Sequence, residues 1–177
     1  MKTPELETIN LFSKDLTLNL TINQISKELN KSYAFTNKYV RDFLDEGILS
    51  RKIVGSAILC SLNFSNEKTL GLLMMNSIDD KMNFMKKSNP KMLSLSIQLA
   101  STPTLKSLFL LNNKFHIICE DKKLASDYFD SISKTINKNI TLLDQNEFKL
   151  GVKGFDLKKI TILEGYERFW KLISEII

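Results

Sequence analysis

The sequence predicts an α+β protein made of an N-terminal helix-and-hairpin domain, a helical connector and a small C-terminal α/β domain. Three observations predict it. From Leu16 to Asn63 the pattern runs strand, helix, tight turn, helix, hairpin. From Asn66 to Lys87 apolar residues recur at helical spacing. After Pro103 the pattern alternates between β-type and helical segments. The predicted boundaries are 1–64, 65–102 and 103–177.

Bulk composition narrows the class. A chain of 177 residues has room for one large or two small domains. Its 43% apolar content excludes disorder. A net charge of +5 and a pI of about 9.1 are compatible with nucleic acid but fall short of a basic arm. Cys60 and Cys119 have no CxxC partner, so two buried thiols in a reducing compartment are expected, with a redox-sensing pair as the alternative. No signal-peptide pattern opens the chain and no apolar run is long enough for a bilayer. The expected location is therefore the cytoplasm, with no membrane partner.

The first domain can be read element by element. Pro4–Asp15 places Leu6, Ile9 and Leu11/Phe12 near one helical face, with Thr3 as N-cap. Leu16–Leu20 alternates apolar and polar residues and reads as a short strand. Thr21 and Gln24 form a capping box for a helix over Thr21–Asn30, whose Ile22, Ile25 and Leu29 face inward. Ser32 caps a second helix running to Glu46, in which Ala34, Val40, Phe43 and Leu44 fit a buried stripe with Phe35 or Tyr39 at its edge. Gly47 fits the left-handed position after a helix end. Ser50–Val54 and Ala57–Leu62 read as strands around Gly55-Ser56, a turn that needs positive φ at its first residue.

This order resembles the winged helix-turn-helix, a module that places its second helix in the DNA major groove. The resemblance implies double-stranded DNA as partner. Tyr33, Thr36, Asn37, Lys38 and Arg41 are left on the outer side of the second helix, with Ser32 at its start. Asn reads adenine, Arg reads guanine or phosphate, and Thr meets a methyl or phosphate. Arg51 and Lys52, on the first hairpin strand, suit backbone phosphates. Six cations between Leu16 and Asn63 (Lys27, Lys31, Lys38, Arg41, Arg51, Lys52) are partly offset by Glu28, Asp42, Asp45 and Glu46. Affinity must come from where the cations lie, doubled by a homodimer. Asp42, Asp45 and Glu46 are expected to point away from DNA, and the hairpin tip has no cation for a minor groove.

The connector begins with a helix over 66–87 in which Leu70, Leu73, Met74, Ile78, Met82 and Met85 form a stripe suited to a core or a dimer seam. Asn89-Pro90 breaks it and starts a second helix that ends before Pro103. Leu105–Leu111 and Lys114–Cys119 read as a hairpin turned at Asn112-Asn113. A helix follows from Lys122 to Asn137, with Leu124, Tyr128, Phe129, Ile132 and Ile136 on its apolar side. Ile140–Leu143 reads as a strand, Asn146–Leu150 as a short helix and Gly151–Gly154 as a turn. Ile160–Leu163 fits a strand or the start of the last helix, and Gly165–Ile177 is helical. The sum is a mixed sheet with helices packed on it.

Glu147-Phe148 after a strand, then ITILEGYERFW from Ile160 to Trp170, is similar to the ending of archaeal proteins that fuse a winged helix to a small nucleotidyltransferase domain. In that family a Gly-Ser turn followed by Ser-Asp-x-Asp admits nucleotide phosphates and binds Mg²⁺. The corresponding hairpin here, Leu110–Ile117, has neither the Gly-Ser nor the paired aspartates. The resemblance therefore implies a non-catalytic copy without metal or cofactor.

No other enzyme pattern is present. There is no GxGxxG, P-loop, zinc spacing or GxSxG. His116 sits between Phe115 and Ile117 as a structural strand residue, and Cys119, three positions on, should face the other way. The expected function is a DNA-binding transcriptional regulator, a homodimer whose C-terminal domain dimerises or senses an unidentified effector. Two alternatives are kept. One is a nucleotidyltransferase-like enzyme with a relocated metal site at Glu120 and Asp121. The other is a scaffold whose winged helix binds protein.

Overall fold

The computed structural model describes residues 3–132 and 140–177. The chain is α+β and divides into two compact units, residues 1–76 and 77–177. Among the described residues, no helix is long and apolar enough to cross a membrane.

The first unit runs α1 (Pro4–Ser13), β1 (Leu20–Thr21), α2 (Ile22–Glu28), α3 (Tyr33–Asp45), β2 (Leu49–Val54), β3 (Ala57–Leu62) and the start of α4 (Glu67–Lys87). Thr3 caps α1, and Thr21 with Gln24 forms the capping box of α2, with Thr21 N donating to Gln24 Oε1 at 2.8 Å. The three strands form an antiparallel sheet in the order β1-β3-β2. Ile9, Phe12, Ile25, Val40, Phe43, Leu49 and Cys60 are among its buried residues.

Two expectations for this unit are corrected. The strand expected over Leu16–Leu20 shrinks to Leu20–Thr21. Asp15 Oδ1 accepts from both the backbone N–H and the hydroxyl of Thr17, and Asn19 Nδ2 donates to Thr17 O. These side chains close a local turn where a strand needs its backbone free. The inward stripe of α3 is also rotated. Thr36, Tyr39, Val40 and Phe43 are buried, whereas Ala34 is exposed. Tyr39 stacks edge-on between Phe35 and Phe43, with ring centroids 5.4 and 6.5 Å away. That aromatic contact, not Ala34, selects the buried side.

The second unit holds the rest of α4, then α5 (Pro90–Ala100), β4 (Leu105–Leu111), β5 (Lys114–Cys119), α6 (Lys122–Ile132), β6 (Ile140–Leu143), α7 (Gln145–Gly151), β7 (Ile160–Glu164) and α8 (Tyr166–Ser174). The expected connector is thus shared out. Asn66 Nδ2 donates to Glu46 O and Thr69 Oγ1 to Ile48 O, both within the first unit. Leu99 of α5 joins the core of the second, with Met92 and Leu95 packed against it. The sheet order is β6-β5-β4-β7, with β5 and β6 parallel and the other pairs antiparallel. Asn112 and Asn113 both take positive φ, 51° and 61°, so the β4–β5 turn is of the I′ kind.

One face of this sheet buries Leu108, Leu110, Phe115, Ile117 and Cys119 with Ala125 and Phe129 of α6. The other carries Phe109, whose ring meets those of Phe148 and Phe169 edge-on at 5.9 and 5.4 Å. Leu124, expected on the inner side of α6, is exposed, because Ala125, Tyr128 and Phe129 supply that side. The C-terminal part of the expected helix, with Ile136 and the side chain of Ile132, lies outside the described residues. Ile160–Glu164 is a strand, so the last helix starts only after Gly165.

Candidate nucleic-acid interface

The candidate surface is built on α3 and the β2–β3 hairpin of the first unit. Asn30, at a φ of 51°, turns the chain sharply out of α2. Ser32 then sets where α3 begins, its Oγ accepting the Phe35 N–H at 3.3 Å. The Ser32 hydroxyl keeps a proton that it can donate.

With the start fixed, helical spacing decides what faces water. Ala34, Lys38 and Arg41, at i, i+4 and i+7, share one exposed stripe. Ala34 adds no bulk there, so another surface can approach the helix closely. Tyr33 and Asn37 flank the stripe, Tyr33 exposed and Asn37 half-buried. Arg41 Nε donates to Asn37 Oδ1 at 3.1 Å. Among the described residues, no acceptor engages the Asn37 amide N–H₂ or the two terminal nitrogens of Arg41. Thr36 does not belong to this set. It is 0% exposed and lies among the core residues, with Tyr39 O–H 3.5 Å from its Oγ1.

The acidic residues are distributed unevenly. Glu46 accepts from Lys68 Nζ at 2.9 Å, and Glu7 pairs with Lys31 at 3.3 Å. Asp45, four residues past Arg41, lies on the same stripe and ends its cationic part. Lys38, Arg41, Arg51 and Lys52 form no ion pair among the described residues.

On the hairpin, Arg51 lies opposite Cys60 and Lys52 opposite Leu59, both cations exposed. Beyond them the strands outrun the core. Ile53, opposite Ile58, is 70% exposed, and Val54 is exposed as well. Gly55 turns the tip at a φ of 60° in open space. The tip carries no cation. Its apolar character was visible in the run Ile53-Val54, but strand length beyond the core decides whether such residues are buried.

The second unit shows where its titratable groups are engaged. Glu120 pairs with Lys106 at 2.8 Å, and that cation holds its carboxyl below the usual range. Asp121 Oδ1 accepts the Leu124 N–H at 2.9 Å at the start of α6. Glu147 accepts from Lys122 and from the Asp144 N–H, which lowers its pKa. His116 stacks on Phe109 at 5.0 Å with the planes 12° apart. Burial, and then the charge of Lys114, depress its pKa. Cys119 lies in the core on the opposite sheet face, and burial raises its thiol pKa. Burial raises the pKa of Cys60 likewise. Among the described residues, no group of three or more His, Cys, Asp or Glu side chains is arranged to hold a metal.

Comparison with family models, with curated proteins and with solved structures found no match to this chain.

Proposed function

We propose that this chain is a DNA-binding transcriptional regulator whose first unit is a winged helix-turn-helix. In this reading α3 enters the major groove of double-stranded DNA, and the β2–β3 hairpin is the wing, with Arg51 and Lys52 on phosphates. The observation that carries it is the exposed stripe of Ala34, Lys38 and Arg41, with Arg41 held by Asn37. A small residue beside two cations and an amide suits close approach to a groove that offers phosphates, N7 and O6 acceptors. Ser32 and Tyr33 complete the contact set, and Thr36 is dropped from it. A homodimer presents two such helices to a pseudo-palindromic site, about one helical turn apart. The second unit supplies dimerisation or senses an effector.

Fluorescence anisotropy with an AT-rich duplex, titrated at several salt concentrations, tests the reading. Saturable, salt-sensitive binding that weakens in the Lys38→Ala/Arg41→Ala variant is expected. Affinity that does not depend on these two cations at any salt concentration would sink it.

A second reading has its own observation. Tyr33, Phe35, Ile53, Val54 and Ile58 are all exposed large apolar residues of the first unit, and such exposure also marks protein-binding surfaces. A chain that shows no affinity for random or AT-rich duplex would favour this scaffold reading. The enzyme reading gains no such support, since the carboxylates of Glu120 and Asp121 are engaged with Lys106 and with a helix start.

A further inference from the structure

We infer that the outer face of α4 within the second unit is a self-association seam, and that its partner is a second copy of this chain packed antiparallel. The inference deepens the homodimer of the reading above and rests on that part of it alone.

The inner side of this helix is already committed. Ser77 Oγ accepts the Trp170 indole N–H at 2.9 Å, Lys81 pairs with Glu164 at 2.6 Å, and Phe84 packs on the core. The outer side carries Ile78, Met82 and Met85, which are 45%, 49% and 44% exposed. Their spacing of four and three is the a/d spacing of a two-helix seam. Unbranched Met side chains adapt to an opposing surface with little strain.

Flanking charge decides between partners and orientations. Asp79 and Lys86 are seven residues apart and lie on the same flank of the stripe, one of each sign. In a two-fold antiparallel pair centred near Met82, like flanks meet. Each Asp79 then faces the Lys86 of the other copy, twice per dimer, and Met85 of one helix falls between Ile78 and Met82 of the other. In a parallel pair opposite flanks meet, and neither Asp79 nor Lys86 then faces an opposite charge, Lys81 being held by Glu164 on the inner side. The face is thus charge-complementary to itself in one orientation only. Three apolar residues per helix make a short seam, in the weak, transient class of interfaces.

Sedimentation velocity of the full chain without DNA, up to about 100 µM to suit a weak interface, tests the seam. The wild type should self-associate with rising concentration, and Met82→Glu or Met85→Glu should leave a folded monomer, checked by circular dichroism. Asp79→Lys and Lys86→Asp should each raise the dimer Kd roughly tenfold, because each sets like charges in contact twice. The double variant Asp79→Lys/Lys86→Asp should return to within about threefold of wild type, as expected for directly coupled residues. A wild type that stays monomeric throughout, a dimer indifferent to both Met variants, or a double variant no better than the singles overturns the proposal. A monomer that still binds duplex would overturn the seam and leave the DNA reading standing.

Discussion

Arg41 donates through Nε to Asn37 Oδ1 at 3.1 Å, one helical turn back along α3. The bond removes rotamer freedom from the longest side chain on the exposed stripe before any partner arrives. Arg41→Ala should weaken duplex binding roughly tenfold and flatten the salt dependence by about one unit of slope, the signature of one lost phosphate contact. Asn37→Ala removes no charge, so it should lower affinity by only about threefold and leave the slope unchanged. Anisotropy titrations across a salt series distinguish the two. A slope change in Asn37→Ala would mean that the pair is not organised this way.

Thr36 and Lys38 should separate stability from binding. Thr36 is fully buried, so Thr36→Ala should cost about 1–2 kcal/mol of unfolding free energy. Its effect on duplex affinity, measured where the variant is folded, should be negligible. Lys38 is exposed, so Lys38→Ala should change stability by less than about 0.5 kcal/mol and weaken binding. Urea unfolding followed by circular dichroism, paired with anisotropy, gives both values. The reverse pattern would restore Thr36 to the contact surface.

Where a local signal had no competitor, the sequence was legible. Thr3, Thr21 with Gln24, and Ser32 all cap the helices expected of them. Asn112-Asn113 and Gly55-Ser56 turn the two hairpins as their φ preferences require. Legibility failed where tertiary contacts choose among similar faces. Ala34 and Thr36 are both tolerable inside or outside a helix, and the Phe35–Tyr39–Phe43 ladder decided between them. At Leu16–Leu20 the alternation was real, but Asp15 and Asn19 offered the backbone closer partners than a strand could. On the candidate surface, residue type was readable, while the Asn37–Arg41 contact and the exposed hairpin tip depend on side-chain geometry and on how far the strands outrun the core.

Trp170 is the only tryptophan, so its emission reports on the second unit alone. Its indole N–H is buried and donates to Ser77 Oγ at 2.9 Å. Ser77→Ala strands that donor and should cost about 1–3 kcal/mol. Ser77→Thr keeps the hydroxyl and should cost less. Urea titrations of Trp170 emission should show a lower midpoint for the alanine variant at unchanged slope. Equal midpoints for wild type and alanine variant would show that the bond contributes nothing.

His116 should make the second unit acid-sensitive. Its pKa is depressed by burial and then by Lys114, and its buried Nδ1 has no hydrogen-bond partner among the described residues. The unfolded chain therefore binds this proton more tightly than the folded one. The stabilising effect is complete above the unfolded His value of about 6.5 and is lost as pH falls through the lower folded value. The Trp170 unfolding midpoint should hold steady from about pH 8 to pH 7 and decline below about pH 6.5. His116→Phe keeps a ring on Phe109 and should flatten that decline. An identical decline in the Phe variant would assign the sensitivity to other groups.

Gly165 occupies the turn between β7 and α8 at a φ of 69°. A Cβ there would lie 2.0 Å from the carbonyl oxygen of Lys106 and 2.8 Å from the Ser107 Cα. Both obstacles are backbone of the adjacent region of β4, so no side-chain rotation relieves them. Gly165→Ala should therefore cost at least about 3 kcal/mol, combining left-handed strain with the clash. Gly55 isolates the first of these contributions, because it has a φ of 60° and nothing within 4 Å of its Cβ position. Gly55→Ala should cost only about 1 kcal/mol. Thermal unfolding read by Trp170 emission for Gly165→Ala, and by circular dichroism for Gly55→Ala, compares the two. Equal losses would mean that conformation alone selects glycine at 165. A much larger loss at Gly165 would tie the glycine of the ILEGYERFW segment to the close approach of β4, a packing role that needs no ligand to explain it.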